Sequence, residues 1–246
     1  MVNIQDMPKL HSPFVREVVD DKYVVTDKIA EGYEWVFEDE SVMAIEKLHG
    51  TNAIFNRTER IPFFNRGKAH IVKGILESFQ RGYIDKLLDG QHFGELIGEK
   101  VNGNPYNIKG HVWIPFKTYA QKHLRYKSWG KYPKDFKTLS EWFKELMPLY
   151  GLMHSKGLTQ EQKDKLFVEG IVFTHPDGRM AKLRKDMFYG MKVRGMVIDN
   201  RKRIMDDLIE RVKDLSIPDD ASAFFKFFPF LSDEQKEIMK KLFTDT

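Results

Sequence analysis

Two short apolar runs separated by a glycine constrain the fold of this chain more than any other feature. Residues 42–47 alternate with the period of a β-strand, and residues 53–55 form a second apolar run after Gly50. Lys47 lies where the first strand ends, so rigid backbone holds it on both sides. A lysine amine becomes a usable nucleophile when desolvation or a neighbouring cation lowers its pKa, and an apolar strand end favours desolvation. Lys47 is therefore a candidate nucleophile, with a surface lysine beside a hairpin glycine as the alternative.

The sequence around this lysine is more specific than the bare Lys-x-x-Gly spacing. Residues 46–52 read Glu-Lys-Leu-His-Gly-Thr-Asn and resemble the nucleotidyl-acceptor motif of the RNA ligase 2 family. That family is a branch of the covalent nucleotidyltransferases, which include DNA ligases and mRNA-capping enzymes. DNA ligases usually carry Asp at the place of His49. The resemblance implies a nucleotide-binding role for Glu46, Lys47, His49, Gly50 and Asn52.

Composition limits the function classes that the remaining motifs can support. The chain has 246 residues, of which 41% are hydrophobic and 31% charged, as in an ordinary soluble domain with a sizeable core. It contains no cysteine, which excludes disulfides, thiolate zinc sites and a cysteine nucleophile. There is no run of 18 apolar residues and no signal-peptide pattern at the start. We therefore expect a cytoplasmic monomer without a membrane partner.

A glycine-bounded strand at residues 92–98 carries a carboxylate among apolar neighbours. Phe93 and Glu95 point to one face of this strand, and a buried carboxylate requires a polar partner. The sequence Gly-Glu-Leu-Ile-Gly resembles the third motif of the family, whose glutamate binds the nucleotide sugar. Glu95 is thus predicted to contact the ribose. A structural salt bridge is the alternative role, and Glu99 is the alternative residue.

The strand predicted at residues 111–116 ends in an aromatic residue. The family presents an aromatic side chain here to stack on the adenine ring. Phe116 lies 21 residues after Glu95 and fits this spacing best, and Trp113 is the second candidate. Packing in the core is the alternative for either ring.

An arginine follows the nucleophile at a family-like distance. Arg66 lies 19 residues after Lys47, about where the family places an arginine that contacts the 5′-phosphate end or the nucleotide phosphate. Arg57 and Arg60 are competing candidates for this role. For each of the three, a solvated loop arginine is the alternative.

Residues 167–173 and 179–185 are predicted to form an antiparallel hairpin. The sequence His-Pro-Asp-Gly between them is a strong turn signal. If Thr174 pairs with Arg179 across a four-residue loop, strand alternation places one carboxylate and two cations on one face. A slip of one residue would move one strand to the other face. The residues predicted to converge are Glu169, Lys182 and Arg184.

The same hairpin resembles two further motifs of the family. Val-Glu-Gly-Ile-Val-Phe matches the fourth, whose glutamate supports a divalent metal, so Glu169 is the predicted metal residue. Lys-Leu-Arg at residues 182–184 matches the fifth, which is normally Lys-x-Lys. Lys182 and Arg184 are implied to contact the α-phosphate. Arginine keeps the charge but is not interchangeable with lysine, and Lys185 is the alternative.

Basic residues are concentrated in one part of the chain. Residues 100–137 hold nine Lys or Arg and one Asp, within a total net charge of +4. Cations neutralise phosphates and aromatic faces stack on bases, so the mixed composition of residues 117–136 predicts RNA binding. A solvated loop with a few core aromatics is the alternative. The residues concerned are Lys117, Tyr119, Lys122, Arg125, Tyr126, Lys127, Trp129, Lys131, Tyr132, Lys134 and Phe136.

Helical patterns complete the predicted organisation. Apolar spacing predicts helices over residues 72–88 and 139–150, the latter starting from a capping box at 138–141, and a shorter helix over 159–166. The segment after residue 186 has further amphipathic patterns and resembles no β-rich OB module. We therefore predict a nucleotidyltransferase domain over residues 1–188 and a helical C-terminal domain over 189–246.

Five motifs in family order make the resemblance the main basis for a functional prediction. It implies an α+β fold, with an antiparallel-sheet nucleotidyltransferase (ATP-grasp-like ligase) domain. It also implies an ATP-dependent RNA ligase that uses Mg²⁺ or Mn²⁺. AMP would pass from Lys47 to an RNA 5′-phosphate, and an RNA 3′-hydroxyl would then displace it. The alternatives are a DNA ligase, a capping guanylyltransferase, or a non-catalytic RNA-binding protein on this scaffold.

Overall fold

A computed structural model describes residues 4–64 and 71–191 of the chain as a mixed α/β fold with antiparallel sheets. The helices are α1 (Trp35–Glu38), α2 (Ile71–Gln80), α3 (Gln121–His123), α4 (Phe136–Glu145), α5 (Leu149–Met153) and α6 (Gln160–Asp164), with a π-helix at Phe116–Ala120 and a 3-10 helix at Lys185–Met187. The strands are β1 (Phe14–Val19), β2 (Lys22–Ile29), β3 (Met43–Lys47), β4 (Thr51–Asn56), β5 (Ile61–Phe64), β6 (Gln91–Gly98), β7 (His111–Pro115), β8 (Gly170–Thr174) and β9 (Met180–Arg184).

The strands form three antiparallel sheets. β1 and β2 form a hairpin, β3 pairs with β8, which pairs with β9, and the third sheet has the order β5-β4-β6-β7. The strands predicted at residues 42–47, 53–55, 92–98 and 111–116 are confirmed within one or two residues at each end. β3 and β4 follow one another in the chain but belong to different sheets. The short connection between them, residues 48–50, therefore joins the two sheets directly after Lys47.

Strand alternation gives the three-stranded sheet two different faces. One face is buried in the main core and carries small or apolar side chains such as Ala44, Ile171 and Leu183, together with the carboxylate of Glu46. The opposite face, called the cavity face below, carries the odd-numbered residues of β3 and the even-numbered residues of β8 and β9. Its members used below are Ile45, Lys47, Val172, Thr174, Met180, Lys182 and Arg184.

A second, smaller core lies between α2 and the four-stranded sheet. Ile71 and Ile75 of α2 are buried there together with Trp113 of β7. Gly74 allows the close packing, because a Cβ atom at this position would lie 2.4 Å from the Leu96 side chain. The Trp113 ring also donates a hydrogen bond to the Ala53 carbonyl at 3.1 Å. These contacts fix β4, β6 and β7 beneath the helix.

The helix predicted over residues 72–88 is shorter than its apolar pattern suggests. α2 ends at Gln80, and Gly82 follows with a positive φ of 70°, a conformation that glycine adopts readily and that interrupts the helix. Ile84 and Leu87 are buried beyond this point without being helical. Their spacing reflects packing in the smaller core. The apolar periodicity alone does not distinguish such packing from a continued helix.

The helix predicted over residues 139–150 is displaced and divided. Asp135 caps α4 by accepting a hydrogen bond from the Thr138 amide at 2.9 Å, so the helix begins at Phe136 and the predicted capping box is wrong. α4 ends at Glu145, because Leu146 leaves the helical conformation with a ψ of 126°. The shorter predicted helix is confirmed as α6, with Thr159 in a capping box.

The predicted register of the β8–β9 hairpin is wrong by one residue. Thr174 pairs with Met180 and not with Arg179. The loop therefore takes in Arg179, whose amide and guanidinium donate hydrogen bonds to Asp177 at 2.9 and 2.7 Å. An aspartate that bonds the backbone two residues on stabilises a turn in place of strand pairing.

Part of the predicted convergence survives this correction. Lys182 and Arg184 lie on the cavity face with Lys47, because Gly170 pairs with Lys47 on one side and with Arg184 on the other. Glu169 precedes β8 and lies outside the ladder, so strand alternation does not determine its direction.

Two predictions fall outside the described part of the chain. Arg66 is one, and the helical C-terminal domain after residue 191 is the other, so the boundary near residue 188 stays a prediction. Within residues 4–64 and 71–191, no helix is long and apolar enough to cross a membrane.

Candidate active site

A cavity of about 640 Å³ lies between the three-stranded and four-stranded sheets. The cavity face forms one wall, β4, β6 and the π-helix contribute the other, and residues 6–10 of the N-terminal segment complete the lining. Its size is within the usual range for a small-molecule site. Residues predicted from the sequence that line it are Glu46, Lys47, Gly50, Asn52, Glu95, Phe116 and Lys182.

Lys47 ends β3 at this cavity and is held by a carboxylate. Its Nζ lies 2.8 Å from Oε2 of Glu169, and the Lys47 side chain is 21% exposed. The same oxygen lies 3.0 Å from Nδ1 of His49, and the other carboxylate oxygen lies 3.9 Å from Arg184. Burial alone would raise the pKa of Glu169, but the His49 hydrogen bond and the Lys47 charge outweigh it and lower that pKa. Glu169 is thus an anionic centre shared by three basic groups.

Gly50 is required where the chain passes from one sheet to the other. A Cβ atom at this position would lie 2.3 Å from the Leu96 carbonyl oxygen, because the backbone approaches β6 very closely. The Gly50 amide donates a hydrogen bond to the Glu95 carboxylate, and its carbonyl accepts one from Asn102. The preceding residue, His49, donates its amide to the Tyr106 hydroxyl at 2.7 Å. The close approach to β6 therefore explains on steric grounds why the motif has glycine at position 50.

Glu95 and Asn52 face one another across β4 and β6 and both line the cavity. Burial is the main reason that the pKa of Glu95 is raised to about 7, and the Glu169 charge adds to the effect while Lys47 opposes it. Glu95 has no ion pair among the residues that the structure describes, so the salt-bridge alternative is not seen. The Asn52 amide nitrogen contacts Met7 Sδ at 3.1 Å, and its oxygen Oδ1 is buried without a hydrogen-bond partner in the described chain. Both side chains can take a polar ligand group.

The two aromatic candidates have different surroundings. Phe116 is partly buried and lines the cavity at the start of the π-helix. Trp113 is 0% exposed and its indole is hydrogen-bonded in the smaller core, so it is a structural residue. Phe116 is therefore the aromatic side chain that a ligand in the cavity can reach.

Cations are clustered along the cavity. The pKa of Lys182 is lowered, first by partial burial and then by the positive charges of Lys47 and Arg184. Lys9 adds a smaller effect of the same sign. Arg184 is also 3.1 Å from Asp186, at the end of β9 near Glu169. Mutually repelling cations beside one cavity favour a ligand that carries several negative charges.

Glu46 and Lys185 differ from the other motif residues. The Glu46 side chain is 3% exposed, and its Oε2 accepts a hydrogen bond from the Tyr150 amide at 2.8 Å. By strand alternation its carboxylate points away from the face that carries Lys47. Glu46 still belongs to the cavity wall, and its contact with a nucleotide stays a prediction. Lys185 is buried at 4% exposure with its pKa lowered to about 8 by burial. Neither Arg184 nor Lys185 is among the residues that line the cavity, and which of the two contacts a phosphate stays a prediction.

Several residues that line the cavity belong to no motif and were not predicted as site residues. Residues 6–10 had no functional prediction. The Lys182 amide donates a hydrogen bond of 2.9 Å to the carbonyl of His11, the residue that follows them. Gln121 and Thr174 also line the cavity outside the predicted set. No local pattern identifies such residues, because tertiary contacts alone bring them to the site.

The phosphate-contacting arginine is not identified by the geometry. The Arg57 guanidinium lies 5.7 Å from the centre of the Phe79 ring, and Arg60 is exposed in a left-handed conformation with φ of 57°. Arg66 is outside the described residues. The choice among the three stays open.

The basic-aromatic segment, residues 117–136, differs from its prediction. Tyr119 and Tyr126 are 7% and 0% exposed, and the Tyr126 hydroxyl donates to the Met147 carbonyl at 2.7 Å. Trp129 and Phe136 also pack against the main core. The interpretation as a base-stacking surface is therefore wrong for Tyr119 and Tyr126, and for the partly buried Trp129, Tyr132 and Phe136 it stays a prediction. Lys117 and Lys122 are exposed, and RNA binding by the cations of this segment stays a prediction.

Oxygen donors near Lys47 fit a divalent metal only in part. Glu169, Glu95 and the unpartnered Oδ1 of Asn52 are the oxygen ligands that Mg²⁺ and Mn²⁺ prefer. No group of three His, Asp or Glu side chains that could hold a metal alone occurs in the described ranges. A metal here would take its remaining ligands from a bound substrate or water, as Mg²⁺ commonly does.

Comparisons with known proteins place this chain beside solved structures and beside no family model. No protein-family model matches the chain, and no curated protein matches it. The chain is similar to solved structures of an RNA ligase from Naegleria gruberi. An apo mutant has 15% identity and a TM-score of 0.34, with 72% of this chain and 61% of that chain covered. The form with PPi has the same identity and TM-score, with 74% and 61% covered. A mutant with ATP and Mn has 15% identity and a TM-score of 0.35, with 71% and 59% covered. The chain thus spans about three-fifths of the length of that ligase.

Proposed function

We propose that this protein is an ATP-dependent RNA ligase that forms a covalent AMP adduct on Lys47. The observation that carries the proposal is the convergence, on one cavity, of motif residues that lie far apart in sequence. Lys47 comes from β3, Glu95 from β6, Phe116 from the π-helix and Lys182 from β9. A nucleophile, a sugar-binding carboxylate, an aromatic ring and a phosphate-binding cation are the parts that nucleotidyl transfer requires.

The arrangement around Lys47 accounts for control of the nucleophile. Only a neutral amine can attack phosphorus, so the Lys47 amine must first lose its proton to solvent, and Glu169, 2.8 Å from Nζ, holds the amine in position. Once neutral, the amine attacks the α-phosphorus of ATP, an N–P bond forms, and the bond to the pyrophosphate oxygen breaks. The product is a lysyl-adenylate and free pyrophosphate. Lys182 and Arg184 supply positive charge for the phosphate oxygens in this step.

The rest of the nucleotide is held by residues on both walls. Glu95 and Asn52 would bind sugar hydroxyls, since both residues line the cavity and Oδ1 of Asn52 has no hydrogen-bond partner among the described residues. Phe116 and Val172, on opposite walls, can enclose a flat base. Glu169 would hold a Mg²⁺ or Mn²⁺ ion together with phosphate oxygens, and this metal would neutralise negative charge on the phosphates.

The second half of the proposed reaction uses RNA. AMP passes from Lys47 to a 5′-phosphate, and an RNA 3′-hydroxyl then attacks that phosphate and displaces AMP. The exposed cations of the basic-aromatic segment and the motif resemblance support RNA as the polyanion. Both later steps are again phosphoryl transfers at the same cluster of cations.

Adduct formation tests the proposal. Protein incubated with magnesium and ATP labelled at the α-phosphate should retain label after denaturation in acid, because the label is covalently attached. Lys47→Ala should retain none, whereas Lys28→Ala, a change at an exposed position on β2, should label like the wild type. Lys47→Ala should still seal RNA that already carries a 5′-adenylate. Labelling by GTP and not by ATP would favour a capping enzyme, and absence of label from either nucleotide would refute covalent nucleotidyl transfer.

A further inference from the structure

A buried hydroxyl at the end of β8 has no function in the site described so far. Thr174 is 5% exposed, and its Oγ1 has no hydrogen-bond partner among the described residues. The residue lies on the cavity face and lines the cavity. Leaving a buried hydroxyl unpaired is unfavourable, so such a group in a binding cavity indicates a polar atom on the ligand.

The position of Thr174 relative to the nucleophile identifies which part of a ligand it can reach. Lys47 pairs with Gly170 at the start of β8, and Thr174 is four residues further along the same strand. At about 3.3 Å per residue, the two positions are separated by roughly 13 Å. If a nucleotide with its α-phosphate at Lys47 lies along β8, its base therefore comes near Thr174.

The surroundings of the hydroxyl also suit a base. Thr174 pairs with Met43 on β3 and with Met180 on β9, and Val172 is the next residue of β8 on the cavity face. These neighbours are apolar, so the flat faces of a base can pack on this wall while one polar edge atom meets the hydroxyl. A hydroxyl can accept a hydrogen bond from an amino group or donate one to a ring nitrogen.

We propose that Thr174 determines base specificity by binding the six-position of a purine, with Oγ1 accepting a hydrogen bond from the amino group of adenine. The inference rests on the proposed function, because it requires a nucleotide with its phosphate at Lys47. It adds a residue outside the five motifs to the site. It also explains why a threonine at this position is buried without a hydrogen-bond partner among residues 4–64 and 71–191.

A double-mutant cycle between protein and nucleotide tests the assignment. The rate of adduct formation at low nucleotide concentration gives kcat/KM for ATP and for the analogue that lacks the 6-amino group, purine riboside triphosphate. The wild type should prefer ATP by about tenfold, as expected for one buried hydrogen bond. Thr174→Val keeps the shape, removes the hydroxyl, and should use both nucleotides at similar rates.

Control variants separate base recognition from a structural role. Thr174→Ser retains a hydroxyl and should keep the preference for ATP. Thr26→Val, on β2, removes a hydroxyl that bonds the Val15 carbonyl and should also keep it. If Thr174→Val does not fold, Thr174→Ala takes its place in the cycle.

Each other outcome of the cycle contradicts the inference. An equal loss of rate for both nucleotides in Thr174→Val would show that the residue only supports the wall. Unchanged rates for both would show that the hydroxyl does not meet the base. A wild-type protein that forms no adduct with ATP would refute the proposed function itself, which is a different result from a failed cycle.

Discussion

The cavity face and the basic-aromatic segment combine similar residue types but use them differently. On the cavity face, distant parts of the sequence meet, since Lys47 and Lys182 share one side of a sheet. In the segment, neighbours in sequence separate, since Tyr126 is fully buried while Lys122 is exposed. A motif that fixes residue identity and order thus predicted spatial convergence. A composition that merely mixes cations with aromatic rings did not.

The backbone explains this difference. β3, β8 and β9 are regular strands, so a period of two determines which side chains share a face. The segment contains a π-helix, a short helix, an isolated bridge of Arg125 to Ile45 and a turn before α4. Tyr126 donates its amide to the Ala44 carbonyl, which places its ring beneath β3 in the core. Because this segment is not one regular element, the alternation of cations and aromatic residues in its sequence does not place them on two opposite faces.

Removing the charge of Glu169 should produce the largest effect in the cavity region. Glu169→Gln keeps the shape but removes the anion that holds Lys47 and His49 at 2.8 and 3.0 Å. We expect adduct formation in a single turnover to slow by about 100-fold or more, the size seen when one electrostatic group of an active site is removed. Glu161→Gln, on the surface of α6, is the matched control. A rate of adduct formation within a few-fold of the wild type would show that Glu169 takes no part in the chemical step.

In the segment, truncating a buried ring should lower stability and leave RNA affinity unchanged. Tyr126→Ala removes a 0% exposed ring and its hydrogen bond to Met147, so the free energy of unfolding should fall by roughly 3–5 kcal/mol. Lys122→Ala, four residues earlier at an exposed position, should change it by about 0.5 kcal/mol or less. Urea unfolding measures both. A stable Tyr126→Ala variant with weakened RNA binding would restore the base-stacking interpretation.

Glu95 should make the stability of the cavity region depend on pH. Its folded pKa of about 7 lies above the ordinary value of 4.5, so the folded protein binds a proton that the unfolded chain releases between these values. This contribution is fully present below pH 4.5 and is lost as the pH rises through 7. Glu95→Gln should reduce that loss, by roughly 1–3 kcal/mol in unfolding free energy at pH 8 relative to pH 4.5. Parallel stability curves for the two proteins would contradict the raised pKa.

The smallest expected effect concerns the exposed cations of the segment. Replacing Lys117 and Lys122 with Gln should weaken RNA binding several-fold, and should lower the salt dependence of the affinity by about one phosphate contact per lysine removed. Adduct formation with ATP should be unchanged, because both side chains are on the surface. Lys22→Gln with Lys28→Gln, on the β1–β2 hairpin, provides the charge-matched control. An unaltered salt dependence would exclude these two lysines from the RNA-binding surface.

Much of the sheet and of the motif cluster was predictable, because local rules govern both. The alternation at residues 42–47 and the glycine at 50 were sufficient to place Lys47 at a strand end. The register of the hairpin was not predictable, because the contacts of Asp177 with Arg179 determine the loop length. The prediction made helix α2 too long for a related reason. After residue 80 the apolar residues are spaced as in a helix because they pack in the core, although the backbone there is not helical.

Other parts of the site depend on contacts that no sequence pattern contains. Lys9 and Thr174 reach the cavity only through the tertiary fold, and neither belongs to a recognisable motif. Glu169 meets Lys47 although it lies outside the strand ladder, and this contact was not part of the predicted convergence of Glu169 with Lys182 and Arg184. The residue types were thus more predictable than the geometry that joins them.

The central claim is that Lys47 carries AMP, and peptide mass spectrometry tests it most directly. The protein is incubated with magnesium and ATP, digested, and every lysine-containing peptide is examined for the added mass of AMP. The account predicts the modification on Lys47, and its loss as pyrophosphate is added, since pyrophosphate reverses the first step. AMP on another lysine, or none on Lys47 in protein that binds ATP, would contradict the account.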